Sequence, residues 1–264
     1  MWTTAIILNT ISNQVSLINF CNKTDIKTLY FSIDNGGHLT NPNLPSFINY
    51  AHSNGLQVHA LISDYNLALT KNHAKAVSLV QKVLKFKFDG INLDVEPYVI
   101  SGVTMNDPTQ SVHKQYLTLL YRLYTLTKGK VLFGPCVPTF FDTSTTKYCT
   151  SVYFMNKTKT LYEHVVDYSD YISIMDYTTD KVRAIKDVEF ELQKSKSKSV
   201  VIGLNLNPSA GSPYFTSVQA MEDALQYVHN TCKATYPSYN SVAIHYYQLY
   251  TEQRDPNAPP VVYA

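Results

Sequence analysis

What most constrains this chain is a rhythm. Eight apolar runs recur along it, and amphipathic stretches lie between them. The runs read "TTAIILNT" (3–10), "IKTLYFSI" (26–33), "LQVHALIS" (56–63), "FDGINLDVE" (88–96), "KVLFGPCVP" (130–138), "DYISIMDY" (170–177), "SVVIGLNL" (199–206) and "VAIHYYQLY" (242–250). Most are near-continuous in Ile, Val and Leu, as expected of parallel strands covered on both faces. The intervening stretches carry helical spacing. One starts near Pro45 and stops at Gly55; another, over 70–86, has Thr70 as a candidate N-cap; the longest, over 111–127, stops at Gly129. Further helical patterns cover 159–169, 182–195 and 216–232.

Eight strands alternating with helices, beginning on a strand, predict an α/β fold: a single (β/α)8 TIM barrel over residues 1–264. The other candidate, an open doubly wound sheet, would want a Gly-rich phosphate turn after its first strand, and none is present. Only "TEQRDPNAPPVVYA" follows the last run, with three prolines, so the eighth helix is expected to be short or absent. Two longer loops, 97–110 and 139–160, both follow strands and so belong on the face where barrels build their sites.

Composition narrows the function. Of 264 residues 45% are hydrophobic and 16% charged, which supports a large core. A net charge of +2 lacks the clustered basic face that nucleic acid requires, and the Lys-rich run at 193–199 reads as a solvated helix end. No run is long and apolar enough for a membrane span. The start "MWTTAIILNTISNQ" lacks the basic segment of a signal peptide, so intracellular and mature secreted origins both fit. Four cysteines without a CxxC pair give no zinc or thioredoxin signature; Cys136 and Cys149 flank one loop, and a pair in an oxidising compartment and two free thiols are both open. The sequons at Asn22 and Asn156 matter only in a secretory context. His59 and His245 read as core histidines, and no cluster has metal-ligand spacing, so neither a metal nor a cofactor is expected.

The fourth run, "FDGINLDVEPY" (88–98), breaks the apolar rule. Side chains on a strand alternate between faces, so Ile91, Leu93 and Val95 form one set and Asn92, Asp94 and Glu96 the other. Unpaired buried charge costs several kcal/mol. The polar set is therefore expected to line the barrel interior as a mutually bonded ladder, with Glu96 at the C-terminal mouth. There Glu96 is placed as a general acid. Two carboxylates at i and i+2 flank the same side of a bond, whereas a glycosidase's usual pair stands across it. Asp94 is thus badly placed as an opposing nucleophile and better placed to orient a group of the substrate.

Asp89, Asn92, Asp94 and Glu96 fall on the Asp-x-x-Asp-x-Asp-x-Glu pattern of glycoside hydrolase family 18, with Asn for the second Asp, and the stretch resembles that family's fourth barrel strand. The resemblance implies hydrolysis, with retention, of β-linked N-acetylglucosamine glycans. Glu96 would donate the proton, and Asp94 would hold an acetamido group whose oxygen attacks the anomeric carbon. Substrate assistance of this kind is a known exception to the two-carboxylate rule. The family's sixth-strand Met-x-Tyr-Asp is matched by Met175 and Tyr177, with Thr178 where Asp is usual and Asp176 as the neighbouring acid. Tyr177 would contact the acetamido group. An eighth-strand Trp is missing; Tyr247 aligns to its place, with Tyr246 as the alternative, and Asn205 and Asn207 are polar candidates on the seventh strand. With 21 Tyr against a single Trp, a groove holding polar rings fits better than a long processive chitin groove. The expected partner is an oligosaccharide or polysaccharide containing N-acetylglucosamine, bound by a monomer. Two rival readings stay open. One is an inactive carbohydrate-binding or inhibitor-like barrel; the other is a glycosidase of another family that pairs Glu96 with Asp176 or Asp64.

Overall fold

The computed structural model describes residues 1–103, 107, 109–142, 151–195 and 197–258. Eight parallel strands follow one another around a nearly closed barrel: β1 (Trp2–Thr3), β2 (Thr28–Ser32), β3 (Gln57–Ser63), β4 (Gly90–Asp94), β5 (Leu132–Pro138), then β8 (Tyr171–Met175), β9 (Ser199–Asn205) and β10 (Tyr239–His245). The two strands left out of that series, β6 (Val152–Phe154) and β7 (Lys157–Lys159), form an antiparallel hairpin inside the loop 139–160. Met155 and Asn156 turn it with φ of 48° and 62°, the left-handed pair that suits a tight hairpin. Helices α1 (Ile11–Lys23), α2 (Leu44–Ser53), α3 (His73–Val83), α4 (Ser111–Thr127), α5 (Leu161–Asp167), α6 (Lys181–Asp187), α7 (Glu189–Lys194) and α8 (Val218–Thr235) cover the outside. The eighth helix is the short α9 (Tyr247–Gln253). Among the described residues no helix is long and apolar enough to cross a membrane.

Three expectations are corrected. The first strand is two residues long, and Ala5–Asn9 is a 3-10 helix. Ile7 and Leu8 are both buried while Ile6 is exposed, a pattern that a helical turn produces and an alternating strand cannot. The pattern over 182–195 divides at Val188 into α6 and α7. The eighth strand ends at His245, five residues early, because Tyr247 and Tyr250 are buried at helical spacing and α9 has begun. A smaller shift moves the start of α3 from Thr70 to Asn72.

Two apolar layers result. Side chains facing outward from the strands join the helices in the main core. Those facing inward, Trp2, Tyr30, Leu61, Cys136, Tyr171, Val201 and Ala243, fill the barrel. Glycines on the same inner surface make room for the rings. A Cβ on Gly90 would lie 2.6 Å from His59 Nδ1, and one on Gly134 would lie 2.2 Å from Tyr171 Cζ.

Candidate active site

Strand β4 divides as its alternation predicts. Ile91, Leu93 and Val95 are buried in the core beneath the helices. Asn92 and Asp94 belong to the other face and pair in register with Leu61 and Ser63 of β3. The strand stops at Asp94, and Glu96 stands at the head of a 3-10 turn over Pro97–Val99. Proline at the first turn position stops the ladder and carries Glu96 beyond the sheet edge to the mouth.

The expected ladder of mutual bonds is not what forms. Asn92 and Asp94 bond sideways, around the barrel, and Glu96 bonds within its own loop. Asn92 is fully buried; its Oδ1 accepts from Trp2 Nε1 and Cys136 Sγ, both at 3.2 Å, and its amide donates to Ser173 Oγ at 3.2 Å and to Tyr171 Oη and Gly134 O at 3.4 Å. Asn92 therefore ties the barrel interior together and does not line the cavity above it. Asp94 accepts from Ser63 Oγ at 3.1 Å through Oδ2, while its Oδ1 is buried without a partner. Burial, then the neighbouring Glu96 charge, push its pKa up to about 7 against the opposing Ser63 bond. Glu96 Oε2 accepts from the Tyr98 hydroxyl.

Asp94 and Glu96 open onto a cavity of about 620 Å³ at the C-terminal end of the barrel. Tyr177, Asp176 and Thr178 after β8, Tyr98 after β4 and His245 at the end of β10 line it as well. A second space of about 240 Å³ runs inward beside it, walled by Trp2, Asp94, Tyr177, His245 and Tyr246. Tyr177 stacks on His245 with ring centroids 5.6 Å apart and planes at 12°. Asp176 is 3% exposed, with Oδ2 unpartnered, and its backbone N–H donates to Gly203 O at 3.2 Å. Burial first and the Asp187 charge second raise its pKa to about 8, against Arg183. Burial thus holds its carboxyl toward the protonated form.

Tyr247 and Asn205, like Asn92, stand away from the cavity wall. Tyr247 opens α9 and packs against Phe20 of α1 at 5.8 Å, away from the cavity; Tyr246, one residue earlier, walls the inner space beside it. Asn205 is 1% exposed and spent on local bonds to Asn207, Pro213 and His245. Asp64 accepts from Asn66 N at 3.0 Å and pairs with Lys75 at 2.8 Å. Sequence reasoning missed Tyr98, His245, and Arg183 with Asp187, an i, i+4 ion pair at 2.9 Å on the cavity rim. The Arg183–Asp187 spacing was visible in the sequence; nothing local marked His245, which reaches the site only because its strand ends there. Cys136 is a buried free thiol, and Cys149 lies outside the described residues. Among the described residues no three His, Cys, Asp or Glu groups are disposed to hold a metal ion.

At the level of sequence, no family profile and no curated protein matches the chain. Solved structures do match. A chitinase from Bacteroides thetaiotaomicron superposes with a TM-score of 0.60 at 14% identity, over 97% of this chain and 91% of that one. A glycoside hydrolase family 18 N-acetylglucosaminidase from Paenibacillus barengoltzii gives 0.57 at 12% identity, over 96% of each chain. A xylanase-A-amylase inhibitor protein gives 0.58 at 14% identity, over 90% of each. With eight parallel strands, surrounding helices and these superpositions, the fold of this chain is that of the family 18 glycoside hydrolase barrels.

Proposed function

We propose that the protein is a retaining glycosidase that cleaves β-linked N-acetylglucosamine glycans by substrate assistance, with the barrel as one catalytic unit. The observation that carries the reading is the position of Glu96 and Asp94. They follow one another along one strand end and open onto the same cavity. Glu96 delivers its proton to the glycosidic oxygen. Asp94 orients the substrate's acetamido group, whose carbonyl oxygen attacks the anomeric carbon; water then opens the cyclic intermediate, with Glu96 as base. Tyr177, on the cavity wall, contacts the acetamido group.

The carboxyls available as an alternative nucleophile fit poorly. Burial holds Asp176 toward its protonated form, with the pKa raised to about 8, and Asp64, although it shares a pocket with Asp94 and Glu96, is turned to Lys75 at 2.8 Å. A non-catalytic barrel is favoured by one observation, the match to an inhibitor protein. The retained acid Glu96 weighs on the other side. Fluorogenic N-acetylglucosamine oligosaccharides given to the protein and to its Glu96→Gln variant decide between these. Hydrolysis that falls by at least about a thousandfold in the variant, on the scale of a lost general acid plus its charge, supports the enzyme. Sugar binding without turnover in either protein sinks it, and equal cleavage of sugars lacking the N-acetyl group sinks substrate assistance.

A further inference from the structure

The bonds around Asn205 determine more than its own position. Its Nδ2 donates to Asn207 O at 3.1 Å and Pro213 O at 3.2 Å, and its Oδ1 accepts from Asn207 N at 2.8 Å. Three backbone partners thus fix which end of the amide is oxygen. That oxygen lies 3.0 Å from His245 Nδ1. An amide oxygen can only accept, so the proton of the neutral imidazole sits on Nδ1, and Nε2 keeps its lone pair. His245 Nε2 has no hydrogen-bond partner among the described residues, and the residue walls both the main cavity and the inner space beside it. The ring is held on three sides: Tyr177 stacks on it, Trp2 meets it edge-on at 6.0 Å, and Tyr246 leans against it at 5.5 Å.

We infer that Asn205 is a positioning residue that locks His245 as the Nδ1–H tautomer, and that His245 Nε2 is a hydrogen-bond acceptor for a hydroxyl of the bound sugar. The inference rests on the glycosidase reading for the identity of its ligand, and on geometry alone for the tautomer. Burial lowers the His245 pKa to about 4, so the ring is neutral at pH 7, where the spectra below are read. A fixed acceptor on the wall of the two spaces that Asp94 also lines adds specificity, because a site built around a substrate hydroxyl leaves a buried polar atom unpaired when that hydroxyl is missing.

Two measurements test it. Long-range 15N–1H spectra of the imidazole at pH 7 should show His245 protonated at Nδ1 and bare at Nε2, and Asn205→Ala should yield a mixture of tautomers. A proton on Nε2 in the unaltered protein overturns the inference whatever the activity. Adding an N-acetylglucosamine oligosaccharide to the Glu96→Gln variant should shift the Nε2 resonance; a sugar that binds without moving it also overturns the inference. If no such sugar binds, the glycosidase reading falls and takes the hydroxyl assignment with it, while the tautomer result stands separately. The side-chain variants give an independent check. His245→Gln places an amide atom near Nε2 and should keep kcat/KM within about threefold. His245→Asn keeps the contact to Asn205 only and should lose about tenfold, mostly in KM, the scale of one neutral hydrogen bond. The reverse order would make the role of His245 structural and sink the proposal.

Discussion

Tyr98 stands two residues after Glu96, and its hydroxyl donates to the Glu96 carboxylate. Burial and the Glu96 charge hold the phenol above its ordinary pKa, so it remains a donor across the working range. The ring is wedged edge-on against Phe140 at 5.0 Å, which keeps it from rotating away. The hydroxyl thereby aims the carboxyl that the proposed mechanism uses as acid. Tyr98→Phe keeps the wedge and removes the aim. Steady-state kinetics should show kcat lowered roughly tenfold with KM little changed, the scale of a hydrogen bond to a charged group. An unchanged kcat would mean that Glu96 is held by the backbone turn alone.

At the scale of elements, the barrel interior is a matter of volumes. Strand β5 gives up its side chain at Gly134 so that Tyr171 of β8 can lie across it, with Tyr171 Oη reaching Ile91 O at 3.2 Å and His59 Nδ1 at 2.8 Å. Closely packed interiors have no slack to absorb a methyl group at 2.2 Å from an anchored ring. Gly134→Ala should therefore cost about 1–3 kcal/mol or more of folding stability, read from a denaturant midpoint. Gly55→Ala offers the control. There φ is 76° and nothing lies within 4 Å, so only the backbone penalty of about 1 kcal/mol applies. Equal losses at the two positions would mean that Tyr171 is free to move.

For the molecule as a whole, buried acid makes stability depend on pH. Glu191 of α7 is fully buried, and neither carboxyl oxygen has a partner. Burial, then the charge of Asp142, raise its pKa from 4.5 to about 9. The folded state holds a proton there that the unfolded chain has lost, so the contribution of Glu191 is complete below about pH 4.5 and fades as pH climbs toward 9. Glu191→Gln removes that dependence. Thermal melts should show variant and parent close together at pH 5, with the variant ahead by about 1–3 kcal/mol at pH 9, the order expected once a buried unpaired carboxylate is relieved. A gap that does not widen with pH would mean that Glu191 has found a partner in solution.

Much of this molecule was readable in one dimension. Eight apolar runs and their helical intervals are local patterns, and most of the strands and helices form where their own period of burial demands it. The alternation through Asn92, Asp94 and Glu96 is equally local, so the sequence alone placed a polar stripe on the inside of β4. Where the signal depends on neighbours from afar, the reading stopped. Asn92 looked like part of a ladder, but Trp2, Cys136 and Ser173, all distant in sequence, take up its bonds. Tyr247 looked like the end of a strand until burial at helical spacing turned it into α9. His245 had no local mark, because its meaning comes from Asn205 on the next strand, 3.0 Å away. Period and composition decide which face of an element is polar; only the closed barrel decides which polar groups satisfy each other and which remain free to meet a ligand, since hydrogen bonds are made between atoms and not between positions in a chain.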